Sequence, residues 1–356
     1  MRLLLGSKDP SRLFHWNEFG MTLSRIGVEC KVVNNTEIAD GFPTKKVHKW
    51  VQPMRWRRFN RLISSFSPDA IMTDGLRHFG IAALKSGIPL ILYLVGDFWT
   101  EIMSAKETKY SSFPRSLAIS RLERMANEIL HGSRIVMPIS EHLNGIVREN
   151  LPGKPTYVLR HAMDPSVWHH EKGMTLKHPC VGIIQNAVIW NKAKEMLVLK
   201  DVLEGMPHVM FYWAGGGPYT KEILDGLGDH PNFKYLGALD YPGRVRQFLS
   251  EIDIYTLFTG MDMAPTSVKE ALLMEKPSVI TNVGGVPEIV EDGRSGMLVN
   301  AGDPGGIVGK ISYLLENPEA AVQMGRNGRK AVTRNADGRI IAKGFVEYLK
   351  TELNLH

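Results

Sequence analysis

The stretch IDIYTLFTGMDMAPTSVKEALLMEKPSVIT, residues 252–281, contains two short apolar runs separated by a loop and an amphipathic segment. The first run, 252–258, is typical of a strand. Pro265 after it favours a helix start, because its fixed φ suits the first helical turn. Residues 266–275 continue as a helix, which Pro277 ends. A strand, a helix and a second strand in this order predict a βαβ unit in a parallel sheet.

The same alternation of short apolar runs and longer amphipathic segments extends over the whole chain. One series of strand-like runs begins with RLLLG and ends with PTYVLRH, and a second begins with CVGIIQ. The pattern lapses in the polar stretch 164–179, which we interpret as the linker. The sequence therefore predicts two doubly wound α/β domains, residues 1–165 and 166–335. An amphipathic helix in 336–356 is expected to return to the first domain.

Composition excludes several classes of protein. The 356 residues are 44% hydrophobic and 22% charged, which is typical of a globular chain and not of a disordered one. The formal net charge of +6 favours anionic partners. The longest apolar run, 88–96, is much shorter than the roughly 20 residues of a membrane span. The charged start MRLLLGSKDPSR indicates a first strand and not a signal peptide.

The cysteines bear on the cellular compartment. Cys30 and Cys180 are the two cysteines, they lie far apart, and no spacing typical of a zinc site is present. We therefore expect a reduced, cytoplasmic protein without a metal site or a disulfide framework.

Two acids flank the predicted helix start in the opening stretch. Asp262 follows a strand, and ligands of open parallel sheets bind beyond the carboxyl ends of strands. Thr266 and Ser267 begin the helix, where backbone N–H groups and the helix dipole favour a phosphate. Glu270, eight positions after Asp262, is suited to sugar hydroxyls, which a carboxylate accepts strongly. The pattern predicts a ligand with a central phosphate and hydroxyl-bearing rings on both sides, such as a nucleotide sugar.

Each acid also has a simpler interpretation. Ser267 and Glu270 have the S-x-x-E spacing of a capping box, in which the glutamate bonds a backbone N–H at the start of its own helix. For Asp262 the alternative is a loop acid without a ligand.

From about residue 231 to 330, the chain resembles the C-terminal half of retaining GT-B glycosyltransferases of family 4. The similar text is NFKYLGALDYPGRVRQFLSEIDIYTLF (232–258), then D-x7-E, then EALLMEKPSVITNVGGVPEIVEDGRSGMLVNAGD (270–303). The family's usual form is E-x7-E followed by GGVPEIV. The N-terminal half is similar in layout alone. The resemblance implies a GT-B fold, in which two Rossmann-like domains face each other across a cleft.

The resemblance also implies roles for residues of this sequence. Glu270 would bind the ribose hydroxyls of a UDP- or GDP-linked sugar, and Asp262 would contact the donor sugar during catalysis. The implied diphosphate contacts are the helix start and one basic residue: Pro265, Thr266, Ser267 and Lys192. Family members transfer the sugar to an acceptor hydroxyl with retained configuration, and they need neither a metal nor a cofactor.

Several positions depart from the family pattern. Asn186 stands where the family has an arginine at the donor, and Asp262 replaces a glutamate. Lys192 has the alternative role of a solvated surface lysine. Asp97 stands near the place of a family histidine, and it either assists catalysis on the acceptor side or caps the next helix.

The glycine-rich turn WAGGGPY (213–219) matches a family feature. Gly215 and Gly216 would let the nucleotide approach closely, or they would simply form a tight turn.

A retaining glycosyltransferase is the predicted function. The alternatives are a nucleotide-sugar epimerase on the same fold and a non-catalytic glycosyltransferase-like subunit, which the departures at Asp262, Asn186 and Gly96 would allow. An epimerase is expected to carry further acid/base carboxylates and histidines, which the sequence does not place.

Residues 41–66 contain seven Lys/Arg, two tryptophans and no acid. This composition suits an anionic membrane with the rings at the headgroup level, a nucleic acid or a solvated helix face. We expect the membrane, without nucleic acid binding: peripheral attachment at the inner face of the cell membrane and a glycan or lipid-linked acceptor. The candidate surface residues are Lys45, Lys46, Lys49, Arg55, Arg57 and Arg58.

Overall fold

The computed structural model describes residues 1–7, 9–35, 37–38, 52–108 and 110–354, without the side chains of 10, 11 and 52–56. Lys45, Lys46 and Lys49 of the predicted membrane surface therefore lie outside the described residues, and so does the side chain of Arg55.

The chain forms two compact units. The first unit consists of Met1–Asp97, Lys109–Met163 and Ala336–His356, and the second of Phe98–Thr108 and Asp164–Asn335. The C-terminal segment thus belongs to the first unit. Phe98–Thr108 belongs to the second unit, although it lies within the predicted first domain.

The first unit contains one five-stranded sheet in the order β2-β1-β3-β4-β5, and all its strand pairs are parallel. Its strands are β1 (Arg2–Ser7), β2 (Glu29–Asn34), β3 (Ala70–Thr73), β4 (Leu90–Leu94) and β5 (Ile135–Pro138). Its helices are α1 (Pro10–Ser24), α2 (Gln52–Phe66), α3 (His78–Lys85), α5 (Arg115–Gly132), α6 (Glu141–Asn150) and α14 (Gly338–Leu353).

The second unit contains a six-stranded parallel sheet in the order β11-β10-β9-β6-β7-β8. Its strands are β6 (Cys180–Ile184), β7 (Met210–Ala214), β8 (Phe233–Gly237), β9 (Ile254–Leu257), β10 (Ser278–Thr281) and β11 (Met297–Val299). Its helices are α4 (Phe98–Glu107), α7 (Trp190–Ala193), α8 (Leu199–Gly205), α9 (Thr220–Leu227), α10 (Gly243–Glu251), α11 (Thr266–Leu273), α12 (Pro304–Glu316) and α13 (Pro318–Asn335).

Burial explains why the apolar runs form strands. Every residue of β3, β5, β9 and β10 is buried. Helices cover both faces of a parallel sheet, so neither face is left for polar residues and the strands become continuous apolar runs. In the second unit Phe211, Trp213 and Phe258 are fully buried in one core. The prediction of two doubly wound α/β halves is confirmed.

The polar stretch 164–179 is bound to the second unit. Trp168 within it is 1% exposed. The Arg329 side chain of α13 donates to the carbonyls of Trp168 and Pro165 at 2.9 and 3.2 Å. Arg246 of α10 donates to Glu171 at 3.0 Å. The polar residues of this predicted linker thus make fixed contacts with the helices beside them.

The predicted strand PTYVLRH (155–161) is wrong. Its backbone runs beside β5, where Leu159 N donates to Pro138 O at 2.9 Å, but the segment contributes a single bridge, between Val136 and Thr156, and no named strand. Within the described residues, no helix combines the length and the apolar character that crossing a bilayer requires.

Candidate functional site

The loop between β9 and α11 lies at the carboxyl edge of the second sheet and holds Asp262 in a fixed position. The Asp262 carbonyl accepts a hydrogen bond from Gly285 N at 2.9 Å. Gly284 has a φ of +55°, and a Cβ there would collide with the same carbonyl. Since only glycine tolerates both conditions, the turn at Gly284 and Gly285 can pack against the loop and hold it in place. The Asp262 side chain is 8% exposed.

Lys192 and Asp262 form an ion pair. Lys192 lies in α7, which follows β6, and its ammonium contacts the Asp262 carboxylate. The loop is packed directly on α7, because a Cβ at Gly260 would lie 2.5 Å from Asn191 O. Both residues are predicted site residues, and they lie 70 positions apart in the sequence. The fold brings them together, because they follow the neighbouring strands β6 and β9.

Glu270 is a buried acid that is hydrogen-bonded to a tyrosine. It lies in α11, is 4% exposed, and accepts a hydrogen bond from the Tyr241 hydroxyl at 2.9 Å. Burial raises the pKa of Glu270 to about 7, although the Tyr241 hydroxyl acts in the opposite direction. The carboxyl group is therefore held in a site that disfavours its charge, which is typical of a group placed for a ligand.

The capping-box interpretation of Glu270 is wrong. Helix α11 begins at Thr266, Pro265 occupies the N-cap position, and no side chain caps the helix. Ser267 is inside the first turn, and its Oγ accepts a hydrogen bond from the buried Tyr255 hydroxyl at 2.8 Å. Ser267 cannot act as the cap, because the helix starts one residue before it.

The first turn of α11 has the features of an anion site. An uncapped helix start presents backbone N–H groups and the positive end of the helix dipole. Thr266 and Ser267 are both partly exposed there. Burial raises the pKa of Tyr255, and the charges of Glu270 and Asp262 add to the effect, so Tyr255 remains a hydroxyl donor to Ser267.

The glycine-rich turn packs against the segment that follows β6. Gly215 and Gly217 have φ values of +143° and +151°. A Cβ at Gly215 would collide with Gln185 O, and one at Gly217 would collide with Ala187 O. Gly216 N donates to the exposed Asn186 side chain at 3.3 Å. Close backbone packing therefore explains the glycines at 215 and 217, and Gly216 joins Asn186 to the turn.

Gly215→Ala is expected to destabilise the chain by at least about 2 kcal/mol, because the new methyl group meets a carbonyl and the φ is strained for alanine. Gly145→Ala is the matched control: Gly145 lies inside α6, and a Cβ there would have no neighbour within 4 Å. The control should be neutral or stabilising by up to about 1 kcal/mol. Urea denaturation measures both, and equal effects would contradict the packing argument.

Asp97 and the basic residues belong to the first unit. Asp97 follows β4 and is 6% exposed. Arg57 and Arg58 are exposed on α2, whose residues Phe59, Leu62 and Phe66 are buried. The α2 helix is thus amphipathic, with these arginines on its solvent side.

Sequence reasoning missed the tyrosines of the site and a polar cluster in the first unit. Tyr241 and Tyr255 carried no signal beyond their presence in the family-like text. In the first unit, the Ser7 hydroxyl donates to Asp74 at 2.6 Å, and Arg12 pairs with the same carboxylate at 2.9 Å. These residues surround the carboxyl ends of β1 and β3, where an open sheet binds ligands.

A sequence comparison links this site to a family. Residues 184–317, which include Lys192, Asp262 and Glu270, match the family described as Glycosyl transferases group 1. A trehalose synthase of Thermococcus litoralis is 25% identical over 235 residues, which cover 58% of this chain and 55% of that protein. The chain is thus aligned with about half the length of this relative.

Solved structures are similar over the whole chain. Sucrose-phosphate synthase from Thermosynechococcus elongatus has a TM-score of 0.77 at 13% identity, with full coverage of both chains. HepE of Anabaena in complex with UDP and glucose has a TM-score of 0.69 at 17% identity, covering 98% of this chain and 99% of that one. The chain therefore has the fold of these GT-B proteins, and its segment 184–317 is similar to the group 1 glycosyltransferases.

Proposed function

We propose that the protein is a retaining glycosyltransferase that moves a sugar from a nucleotide-diphospho-sugar to an acceptor hydroxyl. The bond between the anomeric carbon and the leaving phosphate oxygen breaks, and a bond from the acceptor oxygen forms on the same face. The acceptor proton passes to a leaving phosphate oxygen. The charge of the nucleoside diphosphate must then be stabilised by the protein, which is the main catalytic task in this scheme.

One observation carries the proposal. A buried carboxyl group, a lysine–aspartate pair and an uncapped helix start meet at one edge of one sheet, within the segment that matches the family. A carboxylate suits ribose hydroxyls, and a helix start beside an ammonium suits a diphosphate. Metal ions or redox groups are not needed for any of these contacts.

The roles follow from position. Glu270 accepts hydrogen bonds from the ribose hydroxyls, and the Tyr241 hydroxyl orients its carboxyl group. Pro265, Thr266 and Ser267 present the helix start to the diphosphate. Asp262 accepts hydroxyls of the donor sugar. Contacts near the nucleoside are assigned to the turn after β7 and the segment after β6: Gly215, Gly216 and Asn186.

The ion pair between Lys192 and Asp262 is exchanged when donor binds. Without donor, each group neutralises the other. A diphosphate competes for the ammonium, and this releases the carboxylate for sugar hydroxyls. The pair therefore keeps two charged groups in place before the substrate arrives, at the cost of some affinity.

Asp262→Asn should change diphosphate affinity and the rate of sugar transfer in opposite directions. Lys192 is then no longer neutralised, so a nucleoside diphosphate should bind several-fold tighter, about 3- to 10-fold. Sugar transfer should slow by about 10- to 100-fold, because the amide is a weaker acceptor for donor hydroxyls. Calorimetric titration with UDP or GDP and initial rates measure the two quantities. Weaker diphosphate binding in the variant would contradict the exchange.

We propose a UDP- or GDP-linked donor. HepE was crystallised with UDP and glucose and also with UDP-glucose, which supports beginning with uridine nucleotides. A panel of UDP- and GDP-sugars, followed by release of nucleoside diphosphate, tests the function. Release that depends on an acceptor supports transfer. A changed sugar without release would indicate an epimerase, and binding without turnover for every acceptor would indicate a non-catalytic subunit.

The acceptor is proposed to be a glycan or a lipid-linked glycan at an anionic membrane surface, with Asp97 as the acceptor-side acid. The exposed Arg57 and Arg58 on amphipathic α2 support this, because basic groups near an anionic bilayer contribute about 1 kcal/mol each.

Arg57→Ser with Arg58→Ser should lower binding to vesicles that contain anionic lipid by about 30-fold, since two such charges are lost. The exposed Lys200 and Lys234 of the second unit provide a charge-matched double serine control. Cosedimentation measures all three proteins. Equal loss in the control would show that net charge, and not α2, governs binding.

A further inference from the structure

The amino edge of the second sheet carries a cluster that the proposed function does not use. Cys180 is the first residue of β6, and Asp253 immediately precedes the neighbouring strand β9. His178 lies beside both: its Nδ1 is 2.8 Å from Asp253 Oδ2 and 3.6 Å from Cys180 Sγ. One nitrogen, one sulfur and one carboxylate oxygen all lie within 4.8 Å of one another.

We propose that His178, Cys180 and Asp253 bind one divalent transition-metal ion of the zinc class. Tetrahedral zinc, with bonds of about 2.3 Å to sulfur and about 2.0 Å to nitrogen, holds these two atoms about 3.6 Å apart. The Sγ to Nδ1 distance already has this value. The distance from Asp253 Oδ2 to Nδ1 has to lengthen from 2.8 Å to about 3.3 Å to match the same geometry.

A second contact orients the histidine for this role. Its Nε2 lies 3.0 Å from Glu251 Oε1. Metal-binding histidines commonly donate the second ring N–H to a carboxylate, which fixes the tautomer that leaves the other nitrogen for the metal. Glu251 ends α10 and lies against Gly173, where a Cβ would collide with the carboxylate. The helix end and this glycine therefore hold the orienting group in place.

The ligand chemistry selects the ion. Zinc is suited to both thiolate and imidazole ligands, whereas magnesium and calcium prefer oxygen ligands. The side chains of His178 and Asp253 are 41% and 38% exposed, whereas Cys180 is buried, so an ion enters from the side of His178 and Asp253. A water molecule completes the tetrahedron, and on binding both the Cys180 thiol proton and the His178 Nδ1 proton, which is donated to Asp253 in the metal-free chain, pass to solvent.

Charge in the surroundings also favours a cation. Asp253 and Glu251 contribute two carboxylates, and the Cys180 thiolate adds a third negative charge on binding. Lys276 is the opposing charge, but its ammonium is engaged with the carbonyls of Ser250 and Ile252 at 3.1 and 2.7 Å. The anionic groups outnumber it, so the site remains attractive to a divalent ion.

The cluster lies away from the proposed donor site, so the ion would have a structural role. Strands β6 and β9 carry the donor-site segments at their carboxyl ends, whereas the cluster lies at their amino ends, roughly 15 Å away by strand length. The ion would join the starts of the two strands on which Lys192 and Asp262 depend. It takes no part in sugar transfer, and its presence is tested independently of the proposed function.

Equilibrium dialysis of the whole chain against Zn²⁺ should give one bound ion per chain. His178→Ala and Cys180→Ser should each weaken binding at least about 10-fold, because losing even a group that only orients a ligand costs about 10- to 100-fold. Cys30→Ser and His208→Ala are the matched controls, because Cys30 lies in the first unit and His208 is an exposed histidine of the second. Both controls should bind like the parent.

Cobalt identifies the sulfur. Co²⁺ should produce a thiolate-to-cobalt absorption band in the parent and in Cys30→Ser, and none in Cys180→Ser. His178 is at the surface, so its alanine variant decides the matter even where Cys180→Ser fails to fold. A folded parent without bound Zn²⁺, or a His178→Ala variant that binds Zn²⁺ as tightly as the parent, overturns the proposal.

Discussion

Glu270→Gln is expected to weaken donor nucleotide binding by about 10- to 100-fold, because hydrogen bonds to a charged acceptor contribute about 1.5–3 kcal/mol. The same substitution should make the folded chain more stable near neutral pH. Glutamine keeps the oxygen that accepts from Tyr241 and removes the charge whose burial is unfavourable. Weaker binding together with greater stability is a combination that a purely structural residue does not give.

The stability effect has a definite pH dependence. Burial raises the pKa of Glu270 to about 7 in the folded chain, against its usual value of about 4.5. Between these values the folded state binds the proton more tightly than the unfolded state, so the contribution of Glu270 to stability is full below about pH 4.5 and falls as pH rises to about 7. The glutamine variant should therefore gain about 3 kcal/mol at pH 8 and about 1 kcal/mol at pH 5.

Donor binding should follow the opposite direction. In the proposed role, the carboxylate form of Glu270 accepts hydrogen bonds from the ribose hydroxyls, so the donor affinity of the parent should rise as pH increases through about 7, and the glutamine variant should not share this rise. Calorimetric titration and urea denaturation at several pH values measure both effects. Asp225→Asn, at an exposed acid, is the control that should change neither. A variant with parental nucleotide affinity would remove the ribose role of Glu270.

Lys192→Met should slow sugar transfer by about 100- to 1000-fold, because it removes the charge that we propose to stabilise the leaving diphosphate. The effect should appear in kcat more than in donor affinity, since the negative charge on the leaving group grows as the glycosidic bond breaks. Lys192 also holds Asp262, so its loss leaves a carboxylate with 8% exposure without its ion pair and should lower stability as well.

Lys194→Met is the matched control, two positions along and exposed to solvent. It should retain parental rates. Acceptor-dependent release of nucleoside diphosphate measures both variants. A Lys192→Met enzyme with parental kcat would show that the helix start and backbone groups suffice for the leaving group.

Local sequence patterns were sufficient for most of the fold. The apolar runs predicted the strands because buried parallel strands have no polar face. They failed at PTYVLRH, whose alternation is strand-like, since its backbone bonds to β5 without forming a ladder. The chain pattern also gives no sign that Phe98–Thr108 joins the second unit, because which body a helix packs against depends on contacts distant in sequence.

The candidate site likewise contains residues that the sequence predicts and contacts that only the structure shows. Asp262, Glu270 and Lys192 are recognisable from residue type and spacing. The Tyr241 hydroxyl on Glu270 and the start of α11 at Thr266, which excludes the capping box, are not. The His178, Cys180 and Asp253 cluster was also invisible to a search for zinc spacing, because its carboxylate lies 73 positions after Cys180.

By itself, the sequence determined the α/β class and the helix start beside two acids, since hydrophobic periodicity, proline and glycine act over a few residues. The tertiary structure decided which groups meet: Lys192 with Asp262, Tyr241 with Glu270, and His178 with the starts of β6 and β9. The physical reason is that strands distant in sequence pair in parallel, which brings their ends side by side. The order of the strands in the sheet is set by burial of the whole sheet.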